Sequence, residues 1–302
     1  MAAPRLSVKD SSSWKTVEVP YIKENGSWEF VHNIWVKNGG SWKLAHKTAR
    51  SRYFIESGSS ATYTSNFFYT VPSNGTRYLQ VTVQGQGGGG GGGVRTGGAG
   101  LDGGHLQCPN PLPANTVHDY ATGGVGGNGG WIRFFVEVDP GDVFHGEFNN
   151  SNITGGAFAT PMDLHYAYGS SSPVGTTKSG STGGSPSSVT FKNYPYTTEG
   201  GTSVTATGGA GGTGGTVTVS TRCVDSGGYW TGYTVTTTNG SAGANGTSSV
   251  TNGSRLTEIT GTGSSGAGTG GAAGDHDSNG GDGSTGSINI IRFKLDSSLV
   301  GV

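Results

Sequence analysis

Alternating apolar and polar residues predict short β-strands along most of the chain. Between Leu79 and Gln84, the buried-type residues Val81 and Val83 alternate with polar ones, which is the pattern of a half-buried strand. Similar runs rich in valine, threonine and aromatic residues recur at 131–138, 143–148, 188–191, 203–206, 215–219, 233–237 and 287–295. No segment keeps a 3.6-residue apolar period over three turns. The sequence therefore predicts an all-β protein.

A tight turn is predicted between two of these runs. Asp139-Pro140-Gly141-Asp142 places proline at the second turn position and glycine at the third. We expect the strands on its two sides, 131–138 and 143–148, to form a hairpin.

Glycine tracts interrupt the strands repeatedly. The run at 79–84 leads into seven consecutive glycines, Gly87 to Gly93, and further tracts lie at 97–100, 123–130, 208–215, 261–274 and 280–286. Flexible spacers are one interpretation. However, a linker joins two domains once, whereas these tracts recur through one region. Extended segments with three residues per turn can pack closely when no side chain projects from them, and their backbone groups can then pair. We predict polyglycine II-like segments in a β-sandwich-like domain.

The first 52 residues contain a different pattern, a repeat of 14 residues. It is marked by Ser13-Trp14-Lys15, Ser27-Trp28-Glu29 and Ser41-Trp42-Lys43. Asn25-Gly26 and Asn38-Gly39-Gly40 are typical hairpin turns. We predict a small β-meander made of hairpin repeats. A module of this size is too small for a confident core of its own, so we expect it to associate with a partner. The alternative is a self-contained spacer.

Charge separates the same two regions. Residues 1–52 hold nine basic and four acidic residues, a net charge of +5, while the rest of the chain carries −6. We therefore divide the chain into an attachment module, 1–52, and a glycine-rich domain with exposed insertions, 53–302. The candidate attachment residues are Trp14, Trp28, Trp35 and Trp42. An acidic main body argues against a nucleic-acid partner.

Composition excludes several classes of protein. Glycine accounts for 60 of 302 residues and hydrophobic residues for only 31%, which makes an ordinary enzyme core improbable. A sustained Gly-X-Y period is missing, which excludes collagen. No apolar run approaches the length of about 18–20 residues that spans a membrane, so we expect no membrane insertion.

Candidate chemistry in the sequence is sparse. Asp275-His-Asp277-Ser-Asn279-Gly280 matches the first half of a calcium loop, but Gly286 stands where such a loop has its glutamate. A solvated turn is the alternative.

Cys108 and Cys223 either stay unpaired or form a bridge. The histidines lie outside the motifs of known catalytic triads and zinc sites. We expect no enzyme activity and no cofactor, although paired carboxylates of a polysaccharide-degrading enzyme stay an alternative.

Aromatic residues beside hydrogen-bonding groups stand out in the insertions between glycine tracts. Loops of this composition often recognise polar ligands. The candidate ligand-binding residues are Tyr120, His165, Tyr166, Tyr168, Tyr229, Trp230 and Tyr233. The alternative is that these rings cap the ends of the glycine segments.

Three landmarks follow one another along the chain: Tyr69-Thr-Val-Pro72 with the following strand into glycine, Val138-Asp-Pro-Gly-Asp142, and the C-terminal Gly286-Ser-Ile-Asn-Ile-Ile-Arg-Phe293. In this order they resemble a glycine-rich β domain of bacteriophage tail-fibre and related virion proteins. The resemblance covers about residues 66–295. The Trp-Lys repeats are similar to small repeat modules of phage structural proteins. The long threonine-rich middle section and the lack of a coiled-coil stem depart from the family pattern.

The resemblance implies a function at the surface of a virus particle. Such domains are non-enzymatic and frequently display host-recognition loops on a homotrimeric fibre. By this interpretation, residues 1–52 bind other virion proteins, and loops of the domain 53–302 bind a host-surface glycan or protein. A decoration protein of the capsid or tail, without a receptor, is the alternative from another class.

Overall fold

The computed structural model describes residues 6–10, 12–17, 20–24, 27–31, 33–47, 53–95, 119–149, 153–160, 174–194, 201–224, 229–263, 270–275 and 277–295. The fold is all-β, as predicted, and one short 3₁₀ turn, Gly253–Arg255, is present in these ranges. Among the same residues, no helix is long and apolar enough to cross a membrane.

The strands are numbered in chain order. They are β1 Leu6–Asp10, β2 Ser13–Val17, β3 Tyr21–Glu24, β4 Ser27–Phe30, β5 Asn33–Asn38, β6 Ser41–Lys47, β7 Tyr53–Ile55, β8 Ala61–Tyr63, β9 Phe67–Thr70, β10 Thr76–Gln84, β11 Val94–Arg95, β12 Tyr120–Ala121, β13 Trp131–Glu137, β14 Val143–Phe148, β15 Val174–Ser179, β16 Val189–Tyr194, β17 Ser203–Ala206, β18 Thr216–Val224, β19 Tyr229–Thr238, β20 Ser248–Thr251, β21 Leu256–Gly263 and β22 Ser287–Leu295.

The N-terminal repeat forms hairpins, as predicted. Strands β1 and β2, β3 and β4, and β5 and β6 make three separate two-stranded antiparallel sheets in the described part of the module. Gly39 and Gly40 turn the chain between β5 and β6 with φ of +60° and +85°, the conformation that the Asn-Gly-Gly pattern predicts. The prediction of a continuous meander is wrong. One 14-residue repeat is a complete hairpin, because each strand that begins with the Ser-Trp motif pairs with the strand just before it.

The glycine-rich domain contains a β-sandwich. One sheet has the order β21-β13-β10-β22-β7, with β8 also paired to β22, and the other has the order β20-β17-β16-β14-β9. Leu79, Val81 and Val83 of β10 are fully buried between the sheets, as their alternation predicts. Phe134 of β13 and Phe191 of β16 meet across the core at a ring distance of 6.1 Å. The two strand faces therefore bury one shared apolar layer.

The turn at Asp139–Asp142 connects the two sheets. Gly141 has φ of +85°, and the amide of Asp142 donates to the carbonyl of Asp139 at 3.0 Å, which confirms the predicted turn. The prediction of a hairpin across it is wrong. Strand β13 pairs with β10 and β21, whereas β14 pairs with β9 and β16 of the opposite sheet. The crossing lets apolar residues of both strands enter the shared core from opposite sides.

A second aromatic cluster lies on the outer face of the six-stranded sheet. Tyr53 and Tyr78 meet edge to face at 5.0 Å, and Phe135 and Phe293 do the same at 5.2 Å. All four side chains are buried. The cluster fixes the first strand of the glycine-rich domain, which begins at Tyr53, next to the predicted boundary at residue 52.

Eight further stretches of the described domain are extended segments without strand pairing. We number them I to VIII: 85–93, 122–130, 153–160, 180–188, 207–215, 239–247, 270–275 and 278–286. In segment I every third amide donates to the same neighbour. The amides of Gly85, Gly88 and Gly91 bond to segment II at 2.7–2.9 Å. A repeat of three residues is that of polyglycine II, so the prediction of ordered glycine segments is confirmed.

Segment I lies at the centre of a hexagonal bundle. Its remaining amides donate to segments IV and VIII, and its carbonyls accept from segments III, V and VII. Among the described residues, six segments therefore surround it, in the order II, V, IV, III, VIII and VII, and each is hydrogen-bonded to the next. Segment VI packs in the groove between II and V. Neighbours in the ring run in opposite directions.

The bundle needs glycine because the backbones are in contact. A Cβ atom on Gly90 would collide with the carbonyl oxygen of Ala272, and one on Gly91 would collide with that of Thr213. Both obstacles are backbone atoms, so no side-chain rotation relieves the overlap. The absent side chain is thus a packing requirement of segment I.

Polar side chains close the outer edge of the bundle. The Oδ1 atoms of Asn279 and Asp282 accept hydrogen bonds from the amides of Phe158 and Gly155 at 2.9 and 2.8 Å. Asn245 accepts from the amide of Asn128 at 2.9 Å in the same way. Residues 279 and 282 are three apart, which matches one turn of the segment. Side chains thereby replace the neighbour that peripheral amides lack.

Candidate functional site

The glycine bundle separates two ends of the domain. Gly85 pairs with Gly130 beside β10 and β13, so this end of the bundle is continuous with the sandwich. Gly93 pairs with Ser278 at the other end. Segments I, III, V and VII run away from the sandwich, and the others return to it. We call the end that includes Gly93 and Ser278 the distal end.

A small apolar cluster closes the distal end. Val94 of β11, Ala121 of β12 and Val217 of β18 are fully buried there, and Ala159 and Val235 pack against them. The three-stranded sheet β15-β18-β19 continues segments IV, V and VI beyond this cluster. The distal end is therefore an ordered platform with its own core.

The described residues that flank three insertions all lie at the distal end. Residues 96–118 come between β11 and β12, residues 161–173 between segment III and β15, and residues 225–228 between β18 and β19. The sequence alone did not show that these insertions share one end. The alternating direction of the segments brings this about, because every outward segment hands the chain to a returning one.

The candidate ligand-binding residues divide into two groups at this end. His165, Tyr166 and Tyr168 lie outside the described residues, within 161–173. Tyr120 lies in β12 and is 52% exposed. Its role in binding a ligand stays a prediction.

The other candidates, Tyr229, Trp230 and Tyr233, lie in β19. Residues Val224, Cys223 and Thr221 of β18 are their respective backbone partners. The expectation that Tyr229 and Trp230 lie in a loop is wrong, because the pairing of β18 with β19 extends to the residues that flank 225–228. Their side chains lie outside what the structure describes, so their role in binding stays a prediction.

Hydroxyl groups line the exposed face of the distal sheet. Thr177 and Thr218 are hydrogen-bonded at 2.9 Å between their Oγ1 atoms, and Ser179 and Thr216 are joined in the same way at 2.9 Å. Val217 lies between Thr216 and Thr218 in sequence, and its side chain is fully buried on the opposite face of the sheet. The face can both donate and accept hydrogen bonds, so it suits a polar ligand.

The acidic turn at the distal end uses its oxygens within the protein. Asn279 accepts from the amide of Phe158, and the Asp277 carboxylate lies 3.8 Å from the guanidinium of Arg95. The amide of Asp275 donates to the hydroxyl of Ser278 at 2.7 Å. Within the described ranges, no group of three His, Cys, Asp or Glu side chains could hold a metal ion. The Asn279 side chain thus takes part in the packing of segments III and VIII.

The two cysteines remain without a described contact between them. Cys108 lies outside the described residues, and Cys223 lies in β18, which belongs to the distal sheet. Their pairing stays a prediction.

Candidate attachment residues lie on the N-terminal hairpins. Trp14, Trp42 and Trp35 are 71%, 66% and 53% exposed. Trp28 lies in β4, with Lys23 as its backbone partner across the hairpin. The repeat gives Trp14 and Trp42 lysine partners as well. The rings of Trp14, Trp35 and Trp42 are uncovered and contribute little to a core.

One group of exposed rings was missed by sequence reasoning. Phe68, His145 and Tyr194 meet on the outer face of the five-stranded sheet. They lie on three different strands, and no local motif connects them. The three residues become neighbours through the pairing of β14 with β9 and β16, and a sequence pattern does not reveal that pairing.

No protein-family model matches the chain, and no curated protein matches it. The resemblance to phage fibre domains therefore depends on the three sequence landmarks.

Proposed function

We propose that the chain is a bacteriophage virion protein, a tail fibre or fibre-tip adhesin. Residues 1–52 attach it to other virion proteins, and the distal end of the glycine bundle recognises a molecule on the host surface. The protein is proposed to be non-enzymatic and to act as a homotrimer outside the cell, on the particle.

The observation that supports this most is the common location of the insertions. The residues that flank 96–118, 161–173 and 225–228 all lie at the distal end, opposite the sandwich. Variable connections held on a rigid scaffold are a frequent arrangement for recognition. The backbone-only packing of segment I supplies that rigidity, since its amides and carbonyls are bonded to six neighbours.

The N-terminal hairpins support the other half of the proposal. A two-stranded hairpin is marginally stable by itself in water, and these hairpins expose large rings beside a net charge of +5. Exposed aromatic residues are enriched in protein interfaces, and a net charge steers association with a partner surface of opposite sign. Attachment through this module would cover the rings of Trp14, Trp35 and Trp42.

The test is adsorption of particles to host cells. Particles that carry the Tyr229→Ala/Trp230→Ala double variant should lose adsorption, while the melting temperature of the protein stays close to that of the parent. The Ile259→Ala variant is the control, because Ile259 is exposed on β21 at the sandwich end. If the double variant adsorbs normally, these residues are not the recognition site. If the unmutated protein does not bind the host envelope, the alternative of a decoration protein without a receptor is favoured instead.

A further inference from the structure

The outer face of the five-stranded sheet carries a compact cluster of aromatic and charged side chains. Phe68 of the edge strand β9 and His145 of β14 are stacked, with ring centroids 4.3 Å apart and an interplanar angle of 7°. Tyr194 of β16 stands perpendicular to both rings, 4.9 Å from Phe68. Phe68 is 60% and Tyr194 is 53% exposed. We call these three residues, with Glu147 and Lys192, the flank cluster.

The exposed rings are rigidly positioned. Phe68 pairs with His145 across β9 and β14, and His145 pairs with Lys192 across β14 and β16, so one row of the sheet carries all three residues. Phe67 and Tyr69, the neighbours of Phe68 in sequence, pack against the sandwich core. Because β9 ends the order of this sheet, one face of the Phe68 ring is covered by His145 and the other faces outward.

Polar groups lie beside the rings. Lys192 Nζ is 2.6 Å and His145 Nδ1 is 3.1 Å from the same oxygen of Glu147, Oε1. In the described part of the chain, both contacts of this carboxylate go to Oε1, which leaves Oε2 as an acceptor for a ligand. The ammonium of Lys192 holds this carboxylate in place beside the rings. A ligand that uses both features has an apolar face for Phe68 and hydroxyl groups for Glu147.

Charge and composition narrow the class of ligand. Glu147 and Lys192 balance each other, and the other outward residues of these strands are uncharged, among them Thr70, Val143 and Thr190. A polyanion would therefore gain no net attraction here. A second protein copy would need about 800 Å² with an apolar centre on each partner, whereas this face carries three rings, on β9, β14 and β16, beside serine and threonine residues on β17 and β20.

We infer that the flank cluster is a binding site for a neutral sugar unit of a glycan. The ring of a hexose presents its C–H groups to the outward face of Phe68, and Tyr194 borders it at a right angle. A neighbouring hydroxyl of the sugar donates to Glu147 Oε2. The site lies on the flank of the sandwich and is separate from the distal end.

The test is saturation-transfer NMR on the full chain with hexamers of glucose, mannose, galactose and N-acetylglucosamine, each at about 1 mM. We expect transfer to at least one hexamer. Phe68→Ala and Tyr194→Ala should each weaken that binding by about tenfold, since each removes one ring contact. Both rings are exposed, so the variants should keep the parental melting temperature; if one does not fold, the other decides.

Matched controls separate this site from the distal end. Ile259→Ala, on the opposite sheet of the sandwich, and Tyr194→Phe, which keeps the ring, should bind the hexamer like the parent. The inference is overturned if no hexamer shows transfer, if only a heparin oligosaccharide does, or if Phe68→Ala and Tyr194→Ala bind normally. Loss of binding in Tyr120→Ala alone would overturn it as well, and would assign the sugar to the distal end. If the flank cluster binds no sugar, the adsorption test of the distal end is unaffected, because it measures a different site.

Discussion

The amide of Gly90 donates a hydrogen bond to the carbonyl of Gly281, 2.9 Å away. The bond joins the central segment of the bundle to the last one, which runs in the opposite direction. The two glycines differ in the space around them. A Cβ on Gly90 would collide with the carbonyl oxygen of Ala272, whereas the nearest atom to a Cβ on Gly281 is the amide nitrogen of Ala272 at 3.0 Å.

This difference predicts unequal effects of the same substitution. Gly90→Ala should lower the free energy of unfolding by about 3 kcal/mol or prevent folding, because the methyl group wedges two backbones apart. Gly281→Ala should cost clearly less, since a shift of a few tenths of an ångström accommodates it. Urea denaturation of both variants measures the difference. Equal and small effects would indicate loose glycine segments.

The polar caps on the bundle edge predict a second effect. Asn279→Ala and Asp282→Ala should each lower the free energy of unfolding by about 1–2 kcal/mol, because the amides of Phe158 and Gly155 lose their acceptors. Thr182→Ala is the control, since Thr182 is exposed on segment IV. Thermal or urea denaturation measures all three. If neither Asn279→Ala nor Asp282→Ala changes the free energy of unfolding, water replaces the lost side-chain acceptors at no cost.

The carboxylate of Glu56 predicts a dependence of stability on pH. Hydrogen bonds from Lys294 and Arg292 lower the pKa of Glu56, and these effects exceed the opposing effect of burial. A carboxyl group whose pKa is lower in the folded state stabilises the protein above its unfolded pKa, and the contribution is lost as pH falls through the folded value. The melting temperature should therefore fall on acidification partly because of Glu56.

Glu56→Gln tests that dependence. The variant should be less stable than the parent at neutral pH, and the gap between them should narrow as the pH falls below the ordinary glutamate range. Asp139→Asn is the control, because the Asp139 carboxylate is largely exposed. Melting curves from neutral to acidic pH measure the gap. A gap that stays constant over this range would contradict the prediction.

The exposed tryptophans predict that stability and attachment can be separated. A reporter fused to residues 1–52 should dock on particles that lack the protein. Trp42→Ala in that fusion should weaken docking by about tenfold or more, since aromatic anchors dominate interfaces. It should change the melting temperature of the full chain little, because Trp42 is 66% exposed. Docking that requires only residues 53–302 would refute the assignment of the module.

Sequence patterns predicted those elements whose signal is local. The alternation of Val81 and Val83 identified a central strand, and the runs at 203–206 and 287–295 coincide with β17 and β22. The turn at Asp139–Asp142 was also predictable from its proline and glycine. The sheet that β14 joins was not, because its partners, β9 and β16, are distant in sequence.

The sequence predicted that glycine segments pack as in polyglycine II, but it did not predict which segments are neighbours in the hexagonal bundle. A run such as Gly87 to Gly93 has no side chains to indicate its neighbours, so the partners of each amide depend on the whole fold. The distal grouping of the insertions follows from that arrangement and could not be predicted either. The flank cluster was unpredictable for the same reason, since Phe68, His145 and Tyr194 are neighbours only through strand pairing.

The three-residue repeat of the bundle restricts how the gene can change in length. Deleting one or two codons within segment I would rotate the following residues by a fraction of a turn and direct amides such as that of Gly90 away from their acceptors. Only changes in multiples of three codons keep the register there. Between Arg95 and Asp119, or between Thr160 and Val174, a length change of any size leaves the register of the segments intact. Insertions and deletions should therefore accumulate at one end of the molecule.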